Sequence, residues 1–335
     1  MCKRILASQT NTEGGVPFYK IGTIGNAPDA YISKELFDDY KTKYNYPHKG
    51  EVMITCAGTV GKCVIYNGKD AYYQDSNIVW IDNPSQCISN GFLFHLLAKV
   101  DWRKLNSTTI IRIYNDDLRN LKLSYPQIEE QQKISRLLSL LDERIATQNK
   151  IIEDLKKLKS AISKKLLCND KWTTYKIQDI AEIGRGRVIS SVEIDRQKHP
   201  LYPVYSSQTS NDGIMGYLDN YMFDGEYITW TTDGANAGTV FYRKGKFNCT
   251  NVCGTLKIQP KFDCYFVSLV LQQATQKYVS SNLANPKLMN NTMASIKIRM
   301  PNIETQKQLS KVFQTLDSCL LVHQRTCKNL LAELI

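Results

Sequence analysis

Residues 121–132 read LKLSYPQIEEQQ, and residues 296–307 read IKIRMPNIETQK. The prolines of these two stretches, Pro126 and Pro301, are separated by 301 − 126 = 175 residues. The same offset matches further positions: Gly50 to Gly225, Gln131 to Gln306 and Asp142 to Asp317. Chance does not maintain one offset over so long a stretch, and the offset far exceeds the period of a solenoid repeat. The chain is therefore predicted to contain one domain duplication.

Each repeat begins with a strand-rich part. Short runs of β-branched and aromatic residues, such as residues 51–55 and 226–230, are separated by Gly, Asn and Asp, which favours strands joined by turns. The dipeptide Asn67-Gly68 lies between two such runs and predicts a hairpin. A short helix is expected in each repeat, near residues 91–100 and 265–276.

Each repeat ends in a long helix that follows Pro126 or Pro301. Apolar residues recur there at alternating spacings of four and three, the pattern of a coiled-coil seam. Gln148 and His323 occupy equivalent seam positions, where they are either tolerated or determine register. Two helices with matching seams predict antiparallel pairing in a pseudo-twofold molecule. The seam residues are Ile134, Leu138, Leu141, Ile145 and Gln148 in the first helix, and Leu309, Phe313, Leu316, Leu320 and His323 in the second.

The basic composition is compatible with an anionic partner inside the cell and equally with a basic protein that has none. The 335 residues carry a formal net charge of +11, which is spread along the chain and suits a broad surface that contacts phosphates. No apolar run is long enough for a membrane span, and the first residues lack the features of a secretory signal. The ten scattered cysteines are typical of reduced thiols in the cytoplasm.

The motifs of a DNA-modifying enzyme are missing. The four histidines do not lie near cysteine pairs at zinc spacing, and no proline-aromatic methyltransferase motif follows Asn83-Pro84 or Asn285-Pro286. Gly184-Arg-Gly186 lacks the third glycine of a dinucleotide fingerprint and is interpreted as a loop. No catalytic residue, metal site or cofactor is predicted.

The turns of both strand-rich parts contain side chains that bond bases and phosphates. Asn and Gln can bond adenine, Arg and Lys can bond guanine, and Ser and Thr can bond phosphate. Because such turns recur at matched places in both repeats, we expect a DNA-reading surface. The predicted contacts are Lys20, Thr55, Thr59, Lys62, Gln74, Asn77, Thr109 and Arg112 in the first repeat, and Ser207, Gln208, Asn211, Thr231, Thr232, Asn236, Asn251, Asn285 and Lys287 in the second.

The order of strand-rich part, Pro-x-Ile-Glu-x-Gln motif and long helix, present twice, resembles the specificity subunit of type I restriction–modification systems. Residues 171–180 and 234–240 add to this resemblance, which covers essentially the whole chain. It implies an α+β fold with two duplicated target-recognition domains separated by two long antiparallel coiled-coil helices. The expected boundaries are 1–125 and 169–300 for the recognition domains, and 126–168 and 301–335 for the helices.

The resemblance also implies the function and the partners. Each recognition domain would read one half of a bipartite site on double-stranded DNA, while the helices set the gap and dock two methyltransferase subunits. Nuclease/translocase subunits would join for cleavage, and the S-adenosylmethionine and ATP sites would belong to these partners.

One feature departs from the pattern. Pro17 aligns with Pro200 at an offset of 183, so the counterpart of residues 171–183 would lie at or before residue 1, and the first domain is expected to be incomplete. The alternatives to a DNA reader are an enzyme with its own nuclease or methyltransferase site, and a coiled-coil adaptor that binds only protein.

Overall fold

The computed structural model describes residues 1–74, 77–104, 112–280 and 285–333. The chain divides into two compact units, Met1–Thr147 with Leu330–Ile335, and Gln148–Asn329. Helices and several small sheets alternate along it, so the predicted α+β class is confirmed.

The first unit contains two three-stranded sheets with the strand orders β2-β1-β5 and β4-β3-β6. Phe37 and Tyr72 belong to the core beside the first sheet, and Ile54 and Leu97 belong to the core beside the second. The strands are β1 (Val16–Tyr19), β2 (Tyr31–Ile32), β3 (Val52–Thr55), β4 (Cys63–Ile65), β5 (Tyr72–Tyr73) and β6 (Ile78–Ile81).

The helices of the first unit are α1 (Lys34–Lys43), α2 (Asn90–Lys99), α3 (Asn115–Arg119) and the beginning of α4 (Ile128–Leu166). The short helix predicted near residue 91 is confirmed as α2, whose N-cap Ser89 accepts a hydrogen bond from the Phe92 amide at 3.3 Å. The predicted hairpin at Asn67-Gly68 is wrong. Its flanking strands pair elsewhere, β4 with β3 and β5 with β1, because each completes a different sheet.

The second unit contains a four-stranded sheet, β12-β11-β14-β8, beside the sheets β10-β9-β13 and β15-β7. Trp230 and Phe266 lie in its largest core. The strands are β7 (Thr173–Lys176), β8 (Ala181–Arg185), β9 (Tyr202–Tyr205), β10 (Ile214–Leu218), β11 (Glu226–Thr231), β12 (Val240–Lys244), β13 (Asn248–Cys249), β14 (Cys253–Ile258) and β15 (Lys297–Met300).

Strand β8 corrects the interpretation of Gly184-Arg-Gly186 as a loop. Gly184 lies inside the strand and pairs with Thr255 of β14, where a Cβ atom would come within 2.7 Å of the threonine hydroxyl. The glycine therefore serves close packing in a sheet. The equivalent sheet of the first unit has three strands among the described residues, and none of them corresponds to β8.

The helices of the second unit are α5 (Ser191–Asp195), α6 (Cys264–Ala274), α7 (Asn290–Ser295) and α8 (Ile303–Glu333), together with the end of α4. The short helix predicted near residue 265 is confirmed as α6.

Within the second unit, α4 and α8 pair antiparallel as predicted. Lys159 near the end of α4 forms an ion pair with Asp317, whereas Asn149, ten residues earlier, accepts a hydrogen bond at 3.4 Å from the Cys327 thiol. Asp317 also accepts a hydrogen bond from Tyr265 of α6, whose pKa is raised by burial and by this contact. The contact therefore links α6 to the helix pair.

The predicted seam residues are all partly or fully buried, and Phe313 has no exposed surface. Leu137 and Leu140, which lie off the seam, are 59% and 54% exposed. The Nδ1 atom of His323 lies 2.7 Å from the Gln148 Oε1 atom. Gln148 and His323 occupy equivalent positions in the two repeats. A contact between equivalent positions of two antiparallel helices marks the local twofold axis that relates these helices.

Candidate nucleic-acid interface

Four loops of the second unit meet at one side of its sheets, and we call this region the loop edge: residues 206–213, 231–239, 250–252 and 285–290. Backbone hydrogen bonds connect it. The Thr250 amide donates to the Tyr205 carbonyl at 2.9 Å, and the Thr232 amide donates to the Val252 carbonyl at 3.1 Å. The Gly234 amide donates to the Pro286 carbonyl at 3.0 Å. Loops that are distant in sequence are thereby held side by side.

The first unit repeats these connections, and its loop edge consists of residues 20–21, 56–62, 74, 77 and 112–113. The Gln74 amide donates to the Tyr19 carbonyl at 2.9 Å, and the Cys56 amide donates to the Asn77 carbonyl at 2.7 Å. The Ile113 amide donates to the Cys56 carbonyl at 2.9 Å, as the Leu288 amide does to Thr232 in the second unit. Ile113 and Leu288 are 175 residues apart.

The residues that precede Ile113 and Leu288 in the chain are both basic. Arg112 and Lys287 therefore occupy equivalent positions, each beside a loop edge. In the second unit, the Lys287 Nζ atom lies 3.5 Å from a carboxylate oxygen of Asp233. The duplication has thus placed a cation at the same place in both units.

Most of the predicted DNA contacts are accessible in their loops. Thr109 lies outside the described residues. The predicted contacts that are partly or fully exposed are Lys20, Thr59, Lys62, Gln74, Asn77, Arg112, Ser207, Gln208, Asn211, Asn236, Asn251, Asn285 and Lys287.

Three predicted contacts need correction because their side chains are buried: Thr55, Thr231 and Thr232 have at most 1% exposure. Thr55 and Thr231 are the last residues of β3 and β11, and their side chains face the interior. The Thr55 hydroxyl bonds to the Thr59 carbonyl and accepts from the Lys62 amide at 3.0 Å. These threonines cannot touch DNA in this structure, and Thr55 instead shapes its turn.

Some of the accessible amides also hold the loops in place. The Gln74 Oε1 atom accepts from the Ile21 amide at 3.3 Å, and the Asn285 Oδ1 atom accepts from the Gly234 amide at 3.0 Å. Gln208 donates to the Ile214 carbonyl. Asn236 and Asn251 are exposed and are thus better placed to read a partner than to brace a loop.

Arg243 of β12 is a residue that the sequence analysis missed. It is 4% exposed, and its Nη1 and Nη2 atoms donate to the Asp212 carboxylate at 2.6 Å and the Asp212 carbonyl at 2.7 Å. Its guanidinium carbon lies 3.6 Å from the centroid of the Tyr205 ring. Asn211 and Asp212 have positive φ values of 48° and 54°, which are uncommon outside glycine. Arg243 therefore stabilises a strained turn from inside the domain.

The glutamine of the repeated Pro-x-Ile-Glu-x-Gln motif also has a role that the sequence did not reveal. Gln131 is fully buried and donates to the Pro126 and Cys87 carbonyls at 2.8 and 3.0 Å, while it accepts from the Ser89 amide at 2.8 Å. Gln306 likewise donates to the Pro301 carbonyl at 2.8 Å and accepts from the Asp263 amide at 3.0 Å.

Ser89 and Asp263 are the N-caps of α2 and α6. Each motif thus fastens the start of a long helix to the start of the short helix in its own unit.

Among the described residues, no group of three or more His, Cys, Asp or Glu side chains is arranged to hold a metal ion. The helices that the structure describes include none with the length and hydropathy of a membrane span.

The chain matches the family described as "Type I restriction modification DNA specificity domain" over residues 1–157 and 169–332. It therefore belongs to this family, which confirms the predicted family and the predicted class of DNA specificity protein.

Two relatives illustrate the match. A Haemophilus influenzae protein, provisionally named a type I restriction enzyme specificity subunit, is 49% identical over 155 residues, which cover 46% of this chain and 40% of the relative. A Mycoplasma pneumoniae protein, provisionally named a type I specificity subunit, is 36% identical over 220 residues, covering 64% of this chain and 85% of the relative. The chain thus matches less than half the length of the Haemophilus relative.

Solved structures support the fold. The S subunit of a type I restriction–modification system from M. genitalium superimposes with a TM-score of 0.73 at 18% identity, over 99% of this chain and 89% of that chain. A second structure, from work on complex assembly of a type I system, gives a TM-score of 0.52 at 13% identity, over 95% and 89% of the two chains.

Proposed function

We propose that this chain is the non-catalytic DNA-reading subunit of a type I restriction–modification complex in the cytoplasm. Each unit reads one half of a bipartite site on double-stranded DNA through its loop edge. The paired helices set the gap between the halves and dock two methyltransferase subunits, with nuclease/translocase subunits joining for cleavage. Catalysis and its cofactors belong to these partners.

The observation that carries this proposal is the recurrence of the loop edge. The same backbone connections, a basic residue at position 112 or 287, and exposed polar side chains occur in both units. One DNA-reading surface per unit suits a site with two separate halves, because base edges are read by such polar groups and phosphates by cations. The net charge of +11 favours binding of the chain to DNA.

Methylome sequencing tests the proposal. Cells that carry this gene with its partner genes are expected to methylate adenine in one bipartite sequence, and cells without this gene are expected to lose that methylation. Replacing residues 171–300 by the matching domain of a relative should change one half-site and leave the other unchanged. A change in both halves would contradict independent reading.

Two simpler assays separate the alternatives. The purified chain, incubated with DNA, Mg²⁺ and S-adenosylmethionine, is expected to give no cleavage or methylation, whereas an enzyme would react. The chain is expected to shift duplex DNA in a gel, with an affinity that falls as salt rises, whereas a protein-binding adaptor would not.

A further inference from the structure

Arg185 ends strand β8 beside the loop edge of the second unit. It pairs with Gly254 of β14, which in turn pairs with Trp230 of β11, so these three residues form one row across the sheet. Residues directly opposite each other in a sheet face the same side. A Cβ atom on Gly254 would lie 2.3 Å from the Trp230 ring, so the indole occupies the space above this glycine. Arg185 is the next residue in the row.

The guanidinium of Arg185 has few partners among the described residues. Its Nη2 atom contacts the Met289 sulfur at 3.8 Å, and a thioether is a weak acceptor. Its Nε atom is buried and has no hydrogen-bond partner in the part of the chain that the structure describes. A buried donor of a charged group without a partner is costly. The residue as a whole is partly exposed, so its tip remains accessible from solvent.

Asn290 offers a second unsatisfied group at the same place. Its Nδ2 atom donates to the carbonyl of Gly184 at 3.5 Å. Gly184 directly precedes Arg185 in the chain, so the Asn290 amide lies near the end of β8. Its Oδ1 atom is buried and also lacks a partner among the described residues. Arg185 thus has a buried unpaired donor and Asn290 a buried unpaired acceptor, and contacts through Met289 and Gly184 hold the two residues at the end of β8.

Three other arginines of the second unit pair with carboxylates. Arg187, two residues further along, donates from Nη1 to Glu193 at 2.9 Å and pairs with the same carboxylate through Nη2. Arg243 binds Asp212, and Arg299 binds Asp170. Arg185 forms no ion pair within the described part of the chain, so intramolecular electrostatics do not explain its presence.

We propose that Arg185 is a specificity-determining residue that reads a guanine in the second half-site, an inference that rests on the proposed function. A guanidinium can donate two parallel hydrogen bonds to the O6 and N7 atoms of guanine in the major groove. The side chain starts from a paired strand, and its Nε atom is enclosed. Such an anchored fork suits a base edge, whereas a phosphate can be neutralised by a flexible cation.

The test uses the complete complex with its methyltransferase subunits. We would compare the parent with R185K, which keeps the charge but loses the fork, with R185Q, and with the matched control R187Q. Methylation rates are measured on duplexes that carry each single base change in each half-site. R185K and R185Q are expected to lose about tenfold to a hundredfold activity on the parent site and to stop discriminating at one guanine. The other half-site and the R187Q control should retain their specificity.

A modified base tests the contact at one atom without any change to the protein. Replacing that guanine by 7-deazaguanine removes the N7 acceptor and should slow the parent complex, while R185Q should be insensitive to the replacement. If R185Q fails to assemble, R185K takes its place in this comparison and should be less sensitive to the replacement than the parent.

The proposal is overturned by any of three results. Arg185 variants could weaken all sequences equally, which would indicate a phosphate contact. The second half-site could contain no guanine that responds to 7-deazaguanine. R187Q could reproduce the effect of R185Q. These results leave the proposed function intact, whereas a parent complex that methylates no bipartite site contradicts the proposed function itself.

Discussion

Replacement of Gln131 by alanine is expected to destabilise the first unit, because this side chain forms three hydrogen bonds at the start of α4. Q131A leaves the Ser89 amide and the carbonyls of Cys87 and Pro126 without their partner. A protein hydrogen bond contributes about 0.5–1.5 kcal/mol net, so three of them suggest a loss of roughly 1.5–4.5 kcal/mol. Gln306 forms two such bonds, so Q306A should cost roughly 1–3 kcal/mol.

The matched control is Q132A, which changes the exposed glutamine next to Gln131 on the same helix. A surface substitution of this kind should alter the free energy of unfolding by no more than about 0.5 kcal/mol. Urea unfolding measures the loss, and hydrogen exchange locates it. Q131A should increase amide exchange in residues 87–99 and 128–135, whereas Q306A should do so in residues 263–274 and 303–310. Equal stability of Q131A and Q132A would refute the role of the motif glutamine.

Three further predictions concern the loop edge, the thiols and the helices. R243M should release the turn at Asp212 and weaken recognition of the second half-site only, which lowers methylation of the parent site by about tenfold or more. Methylation rates on duplexes with changed half-sites measure this effect. Loss of recognition in both halves would argue for general unfolding. Burial raises the pKa of Cys63 and Cys264 to about 12, so these thiols stay protonated and unreactive near pH 8. Alkylation of the native protein followed by mass spectrometry should therefore modify the exposed thiols first, namely Cys87, Cys168 and Cys319. Insertion of four matched residues in both long helices should lengthen each by roughly 6 Å and widen the gap between the half-sites by one or two base pairs. Methylome sequencing should then show unchanged half-sites at the wider spacing. An active complex with unchanged spacing would show that the helices do not measure the gap.

Much of the fold could be predicted because its evidence is periodic or repeated. The spacing of Leu309, Phe313 and Leu316 follows the helical period, and burial on one helix face depends on that period alone. The duplication required no knowledge of contacts, since one offset aligned the two halves. Prediction failed where pairing was nonlocal. Asn67-Gly68 is a favourable turn sequence, yet its flanking strands completed different sheets.

The candidate site was predictable as a set of loops but not as a set of side chains. Polar residues cluster in the turns of both repeats, and this clustering is visible in the sequence. Whether one threonine faces solvent depends on the strand beneath it, so Thr55 and Thr231 were assigned to DNA although both are buried. Arg185 was passed over because two glycines flank it, and glycine is as common in loops as it is rare inside strands.

The sequence by itself determined the duplication, the helix seams and the family, since these depend on residue order and local periodicity. Only the tertiary structure decided which side chains are free to read a partner. Arg243 and Arg185 are both arginines at strand positions, yet one is buried against Asp212 and the other has no ion-pair partner among the described residues. The difference arises from which strands and loops pack beside them, and these contacts join residues that are 31 positions apart for Arg243 and 104 positions apart for Arg185.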